Sequence, residues 1–170
     1  QPNKSLMLSK FFFELLKKKN IPNHYLDSDL KENVMYIKAG KIFGNGLEFK
    51  CRYRATGSFL DRFSGYIEDG QVLNRIIEVN IKDNEKNNPV ISKDILIELK
   101  IMTKDQFKEC KKLTKKVSKV IKEFLERKGM EVYQIKLEFG LVDGKISLID
   151  EISGENMIVC KDNRRLSTEE

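Results

Sequence analysis

Hydrophobic and polar positions alternate most clearly between Ile135 and Ser153. Ile135, Leu137 and Phe139 alternate with Lys136 and Glu138, so the two charged residues share one strand face and the apolar three share the other. After Asp143-Gly144 the chain resumes with Ile146, Leu148 and Ile149 and runs into Asp150-Glu151. Asp-Gly between two such runs is a hairpin signal, because both positions tolerate positive φ. The spacing predicts a hairpin with one buried and one polar face.

Register decides what that polar face can do. A two-residue loop pairs Val142 with Lys145, sets Lys136 opposite Glu151 and leaves Asp150 on the Leu137 side. A three-residue loop pairs Leu141 with Lys145 and brings Asp150 onto the side of Lys136 and Glu138. Two carboxylates on one face suit Mg²⁺, which takes oxygen ligands and completes its shell with water and phosphate. A shared metal therefore favours the three-residue loop, or a bulge near Asp150. An ordinary hairpin with a solvated polar face is the competing reading, and it stays open on the pattern alone.

The remaining pattern gives two long helices and several strands. Residues 5–19 read as an amphipathic helix capped by Asn3 or Ser5, with Leu6, Leu8, Phe12, Phe13, Leu15 and Leu16 as its apolar stripe, stopped by Asn20 and Pro22. His24 follows in a turn and reads as a structural histidine, since no Cys or Ser motif accompanies it. Residues 34–39 and 47–54 read as strands joined by a loop holding Gly40, Gly44 and Gly46; residues 76–81 read as a third strand. Lys82 to Pro89 is a polar loop, and Ser92 caps a short helix. Thr103-Lys104-Asp105-Gln106 is a capping box opening a long helix that Gly129 ends, with Phe107, Cys110, Leu113, Val117, Val120, Ile121, Phe124 and Leu125 on its core face.

Composition narrows the class. The 170 residues are 40% hydrophobic and 34% charged, enough for a folded core. No apolar run reaches the ~20 residues of a membrane span and no signal peptide is visible, so no membrane partner is expected. Three dispersed cysteines and a single histidine argue against zinc and for a reduced, cytoplasmic setting. The net charge of +6 comes from one place: residues 104–128 hold ten Lys or Arg against four Asp or Glu. No aromatic residues are interleaved there as stacking platforms, so a solvated helix face explains it better than nucleic acid.

Candidate chemistry lies on two strands. Arg52 and Arg54 run into Thr56-Gly57-Ser58 and Asp61-Arg62, a set suited to phosphate or carboxylate, with a cross-strand charge ladder as the alternative. The glycine loop matches neither a P-loop nor a dinucleotide fingerprint.

Lys136-Leu137-Glu138-Phe139-Gly140 with Asp150-Glu151-Ile152-Ser153, Arg52-Tyr53-Arg54-Ala55-Thr56-Gly57-Ser58, and Asn20-Ile21-Pro22-Asn23-His24 together resemble the SAICAR synthetase family, in its order and approximate spacing. The resemblance implies an α+β, two-lobed fold of ATP-grasp or kinase-like type, with antiparallel sheets and packed helices around a nucleotide cleft. It implies one catalytic domain over residues 1–170, without the family's N-terminal nucleotide-lobe strands and C-terminal helix. The implied activity is ATP-dependent joining of aspartate to carboxyaminoimidazole ribotide. Lys136, Glu138 and Asp150 would be catalytic, Lys82 would join them in binding ATP, and Glu138 and Asp150 would hold Mg²⁺. Arg52, Ser58, Arg62 and Glu155 would bind substrate. The partners implied are small molecules, not nucleic acid or membrane, and a homo-oligomer stays open.

Three departures from the family accompany the match. Asn88-Pro89 replaces Asp-Pro; Gly154-Glu155 replaces Pro-Asp and Ile158 stands at an Arg position, with Arg164 or Arg165 as a substitute cation if the tail folds back; and the chain starts inside the region that the N-terminal lobe precedes. A divergent amide ligase acting on another carboxylate, and a non-enzymatic basic binding module, are the alternatives.

Overall fold

Asn3 caps the first helix of the computed structural model, which describes residues 3–167. The Asn3 side chain accepts from the amides of Ser5 and Leu6, so Ser5 lies inside helix α1 (Lys4–Lys18). Next come β1 (Tyr25–Asp29) and β2 (Val34–Ile37), which form a separate two-stranded sheet. Then follow β3 (Lys41–Ile42), β4 (Leu47–Arg54), α2 (Gly57–Arg62), β5 (Val72–Ile81) and α3 (Lys93–Glu98). The chain continues through α4 (Lys104–Arg127), β6 (Glu131–Val142), β7 (Lys145–Ile149), β8 (Met157–Lys161) and β9 (Arg164–Arg165). The capping box at Thr103 and Gln106 starts α4 as expected.

Strand β6 organises the rest. Its first half pairs antiparallel with β4 on one side and β8 on the other, and its second half pairs with β3 and β7. The main sheet runs β5-β4-β6-β8-β9. Phe49, Cys51, Ile135 and Leu137 alternate onto one face and are buried with Leu113, Val117 and Ile121 of α4 and with Phe12, Phe13 and Leu16 of α1. Each such side chain contributes about 2 kcal/mol by leaving water. The opposite face, not covered by α4, carries the charged residues.

The hairpin loop has two residues, not three: Val142 pairs with Lys145, and Asp143 and Gly144 both have positive φ. That twist matches the flanking strands, which is why Asp-Gly adopts it. All three cysteines are buried and free. Among the described residues no helix is long and apolar enough to cross a membrane.

Candidate active site

Alternation along three neighbouring strands builds the polar face. Lys50 of β4 sits between Glu78 of β5 and Lys136 of β6, and Arg52 sits beside Gln134. Glu48 lies opposite Asn80 on β5, and continuing the β4–β6 register by one residue brings it beside Glu138.

At one end of this face charges of both signs converge. Lys82 Nζ lies 2.6 Å from Glu138 Oε1, and Lys136 Nζ lies 3.6 Å from Glu48 Oε1. Burial pushes the Glu138 carboxyl above its ordinary range; the hydrogen bond from Lys82 opposes this, and the charges of Asp150 and Glu48 reinforce it. The bond to Glu138 raises Lys82, with Asp150 and Glu48 contributing. Lys50 is lowered by burial and by Arg52 and Lys136.

Asp150 reaches this cluster in spite of the register. With a two-residue loop, an extended Asp150 would share the core face of Leu137. Instead β7 ends at Ile149, and Asp150 takes φ +66, a left-handed turn that breaks the alternation. The three-residue loop is therefore corrected, and a backbone irregularity at Asp150 does its work. The His24 Nε2 is 3.0 Å from the Asp150 carbonyl, and burial lowers the His24 pKa.

The second cluster surrounds Glu78. Arg52, 1% exposed, donates from Nε to Glu78 at 2.8 Å, from Nη1 to Gln134 at 2.7 Å and from Nη2 to the Ser58 hydroxyl at 3.4 Å. Arg62 donates to both Glu78 oxygens at 2.7 and 2.9 Å. Burial pushes the Glu78 carboxyl up, but the Arg62 hydrogen bonds and the Arg52 charge more than offset it, leaving it below the usual range.

The sequence-predicted residues thus fall into two groups, Lys82, Lys136, Glu138 and Asp150 in one and Arg52, Ser58 and Arg62 in the other. Glu155 joins neither by contact: it is exposed on the 3₁₀ turn Gly154–Asn156, where its charge, after burial and Asp150, helps raise Glu151. Glu48, Glu78 and Gln134 were missed. Alternation along residues 47–54 could have flagged Glu48, since it shares a face with Arg52.

The departures also have places. The Asn88 Oδ1 accepts from the Asp83 amide at 2.7 Å, so the loop needs an acceptor there and an amide supplies it. Ile158 lies opposite Gln134 on the polar face. The tail does fold back as β9, and its pairing with Cys160 puts Arg165 on the face of Ile158.

Oxygen donors from Glu138 and Asp150, with Glu48 close by, crowd negative charge that two lysines offset. Among the described residues no three His, Cys, Asp or Glu side chains form a metal-binding group. Two carboxylates whose shell water and phosphate would complete fit Mg²⁺, which rarely takes an all-protein cage.

A family model described as SAICAR synthetase matches residues 3–164. A phosphoribosylaminoimidazole-succinocarboxamide synthase of Clostridium tetani is 51% identical over 160 residues, covering 93% of this chain and 70% of its own length. One from Finegoldia magna is 33% identical, covering 88% of this chain, which spans 63% of that relative. A solved SAICAR synthetase in complex with ADP is 27% identical with a TM-score of 0.88, covering 96% of this chain and 70% of that one.

Proposed function

The chain belongs to the SAICAR synthetase family, and from that premise we propose that its polar face carries the ATP and substrate sites of a phosphoribosylaminoimidazole-succinocarboxamide synthase. The family's members are carbon-nitrogen ligases, which leaves the basic binding module without support. In the proposed reaction the carboxylate of carboxyaminoimidazole ribotide attacks the γ-phosphorus of ATP and ADP leaves. The amine of aspartate then attacks the acyl carbon, releasing phosphate and a proton and forming the amide.

The observation that carries this reading is the convergence of Glu138, Lys82 and Asp150 on the face that also presents Arg52. Glu138 and Asp150 would hold Mg²⁺, which when bound neutralises charge on the phosphates. Lys82 and Lys136 present ammonium groups to the transferring phosphoryl oxygens, where negative charge is concentrated. Arg52, Ser58 and Arg62 take the ribotide's anionic end, and Glu155 contributes from the rim. A relative solved in complex with ADP supports nucleotide use. No side-chain nucleophile is required. Residues 1–170 act here as one catalytic unit.

ADP release is measured with the full-length protein, adding the ribotide and aspartate singly and together, beside Glu138→Gln and Asp150→Asn. Turnover that needs both substrates and falls at least 100-fold in each variant supports the reading. ADP release without a need for the ribotide would favour a divergent ligase. Ile158 speaks for that second reading, since it puts an apolar side chain beside Gln134 at the family's Arg position.

A further inference from the structure

We infer that His24 is a positioning residue for Asp150, its imidazole N–H holding the left-handed turn that carries the carboxylate off the core face and toward Glu138. The inference rests on the proposed role of Asp150 and adds a residue which that reading leaves unused.

The chemistry of the contact fixes the donor. A carbonyl oxygen only accepts, so at 3.0 Å the Nε2 of His24 carries the proton. The histidine cannot follow the turn if the turn shifts, because its own backbone is anchored to the strand before it. The His24 amide donates to the Leu148 carbonyl at 3.0 Å, and the Leu148 amide donates to the Pro22 carbonyl at 2.9 Å. Residues 22–24 therefore run alongside β7, and Asn23 bridges parallel to Leu148. On the other side, the Lys38 amide donates to the His24 carbonyl at 2.8 Å. His24 is 5% exposed, with its ring 5.3 Å from that of Phe13.

A second pin holds the far end of the same turn. The Ser9 Oγ donates to the Ile152 carbonyl and accepts from the Ile152 amide, both at 3.0 Å, and Ser9 is buried on α1. Two side chains from the first 24 residues thus bracket Asp150-Glu151. Between the pins Asp150 has φ +66, a left-handed conformation that Asp adopts more readily than most residues. The two pins select it here over the extended backbone that would continue β7. Released from His24, residue 150 relaxes toward extended backbone, and its side chain swings to the Leu137 face, away from Glu138 and Lys82.

The test uses the full-length protein and four His24 or Asp150 variants. Gln places an amide N–H where Nε2 stands, Asn places one only where Nδ1 stands, and Leu places none. Two readouts are taken: binding of Mn²⁺·ADP beside ADP alone, and hydrogen exchange across residues 148–153. His24→Leu and His24→Asn are expected to weaken Mn²⁺·ADP at least tenfold, leave ADP alone unchanged and speed exchange at Ile152. His24→Gln should stay within threefold of the parent in both. Mn²⁺·ADP binding in His24→Asn equal to the parent, or His24→Gln as weak as His24→Asn, would overturn the inference. Should His24→Leu not fold, the Gln and Asn pair still decides. Asp150→Asn is the separate control: if it binds Mn²⁺·ADP like the parent, the metal assignment fails, while exchange across 148–153 still reports whether His24 holds the turn.

Discussion

Glu78 serves two guanidinium groups with one carboxylate, and both sit on the proposed substrate face. Replacing it with Gln leaves the buried Arg52 without its counter-charge, a change worth roughly 3 kcal/mol. The pH dependence follows from the depressed carboxyl: its stabilisation is complete above its ordinary range near 4.5 and is lost as pH falls through the lower folded value. Chemical denaturation should therefore show a wide gap between parent and Glu78→Gln at pH 7 that narrows below about pH 4. A gap that does not change with pH would deny the carboxylate's ionic role. Gly46 makes a second residue-scale case. A Cβ there would stand 3.0 Å from the Lys82 Cδ on a backbone with φ +111. Gly46→Ala should push Lys82 off Glu138, raising the KM for ATP several-fold and costing about 2 kcal/mol, as a strained backbone does. Neither Glu78 nor Glu48 was legible as a partner from the chain alone. Alternation shows that Glu48 shares a face with Arg52, but the pairing of β4 with β6 sets that it meets Lys136, and the pairing of β4 with β5, joined through residues 55–71, sets that Glu78 meets Arg52.

At the scale of elements, local signals carried the chain where they were strong. Asn3, the Thr103 box and Asp143-Gly144 each satisfy backbone groups within a few residues, so α1, α4 and the hairpin were readable in advance. Strand β1 alternates poorly although it pairs with the next strand, β2, and β3 has only two residues, defined by its pairing with distant β6. At Asp150 the pattern left a choice between a three-residue loop and a bulge; the two-residue loop forms and the irregularity falls at Asp150, where His24, 126 residues away, bonds to the turn. Gly140 shows how such a contact leaves a mark in a motif. A Cβ on it would meet the Lys41 carbonyl at 3.0 Å and the Ile149 Cδ1 at 3.2 Å, since β3 crosses close by. Gly140→Ala should cost about 1–3 kcal/mol through that overpacking. Hydrogen exchange of β3 should rise with it, whereas Asp143-Gly144 at the hairpin tip should exchange as before.

At the scale of the molecule, the positive charge and the proposed site lie on opposite sides. The surplus of six belongs to residues 104–128, and Lys108, Lys111, Lys112, Lys115, Lys116 and Lys119 line one shallow depression with Arg75. Helix α4 covers the apolar face of the sheet, so these lysines point away from Glu138 and Arg52 across the sheet and a helix about 10 Å wide. That separation exceeds the Debye length of about 8 Å at physiological salt, so the stripe contributes little to drawing anionic substrates to the cleft. Within α4 the same lysines repel one another at i,i+4 spacing, at about 0.2–0.5 kcal/mol for each pair. Changing Lys111, Lys112, Lys115 and Lys116 to Gln should therefore raise the Tm at low salt and leave the KM for ATP, ribotide and aspartate within twofold. A several-fold rise in KM for the ribotide that vanishes at high salt would mean the opposite, that the field of α4 reaches round the sheet to the site. The stability gain at low salt would persist even then, because it depends on the helix and not on where the cleft lies.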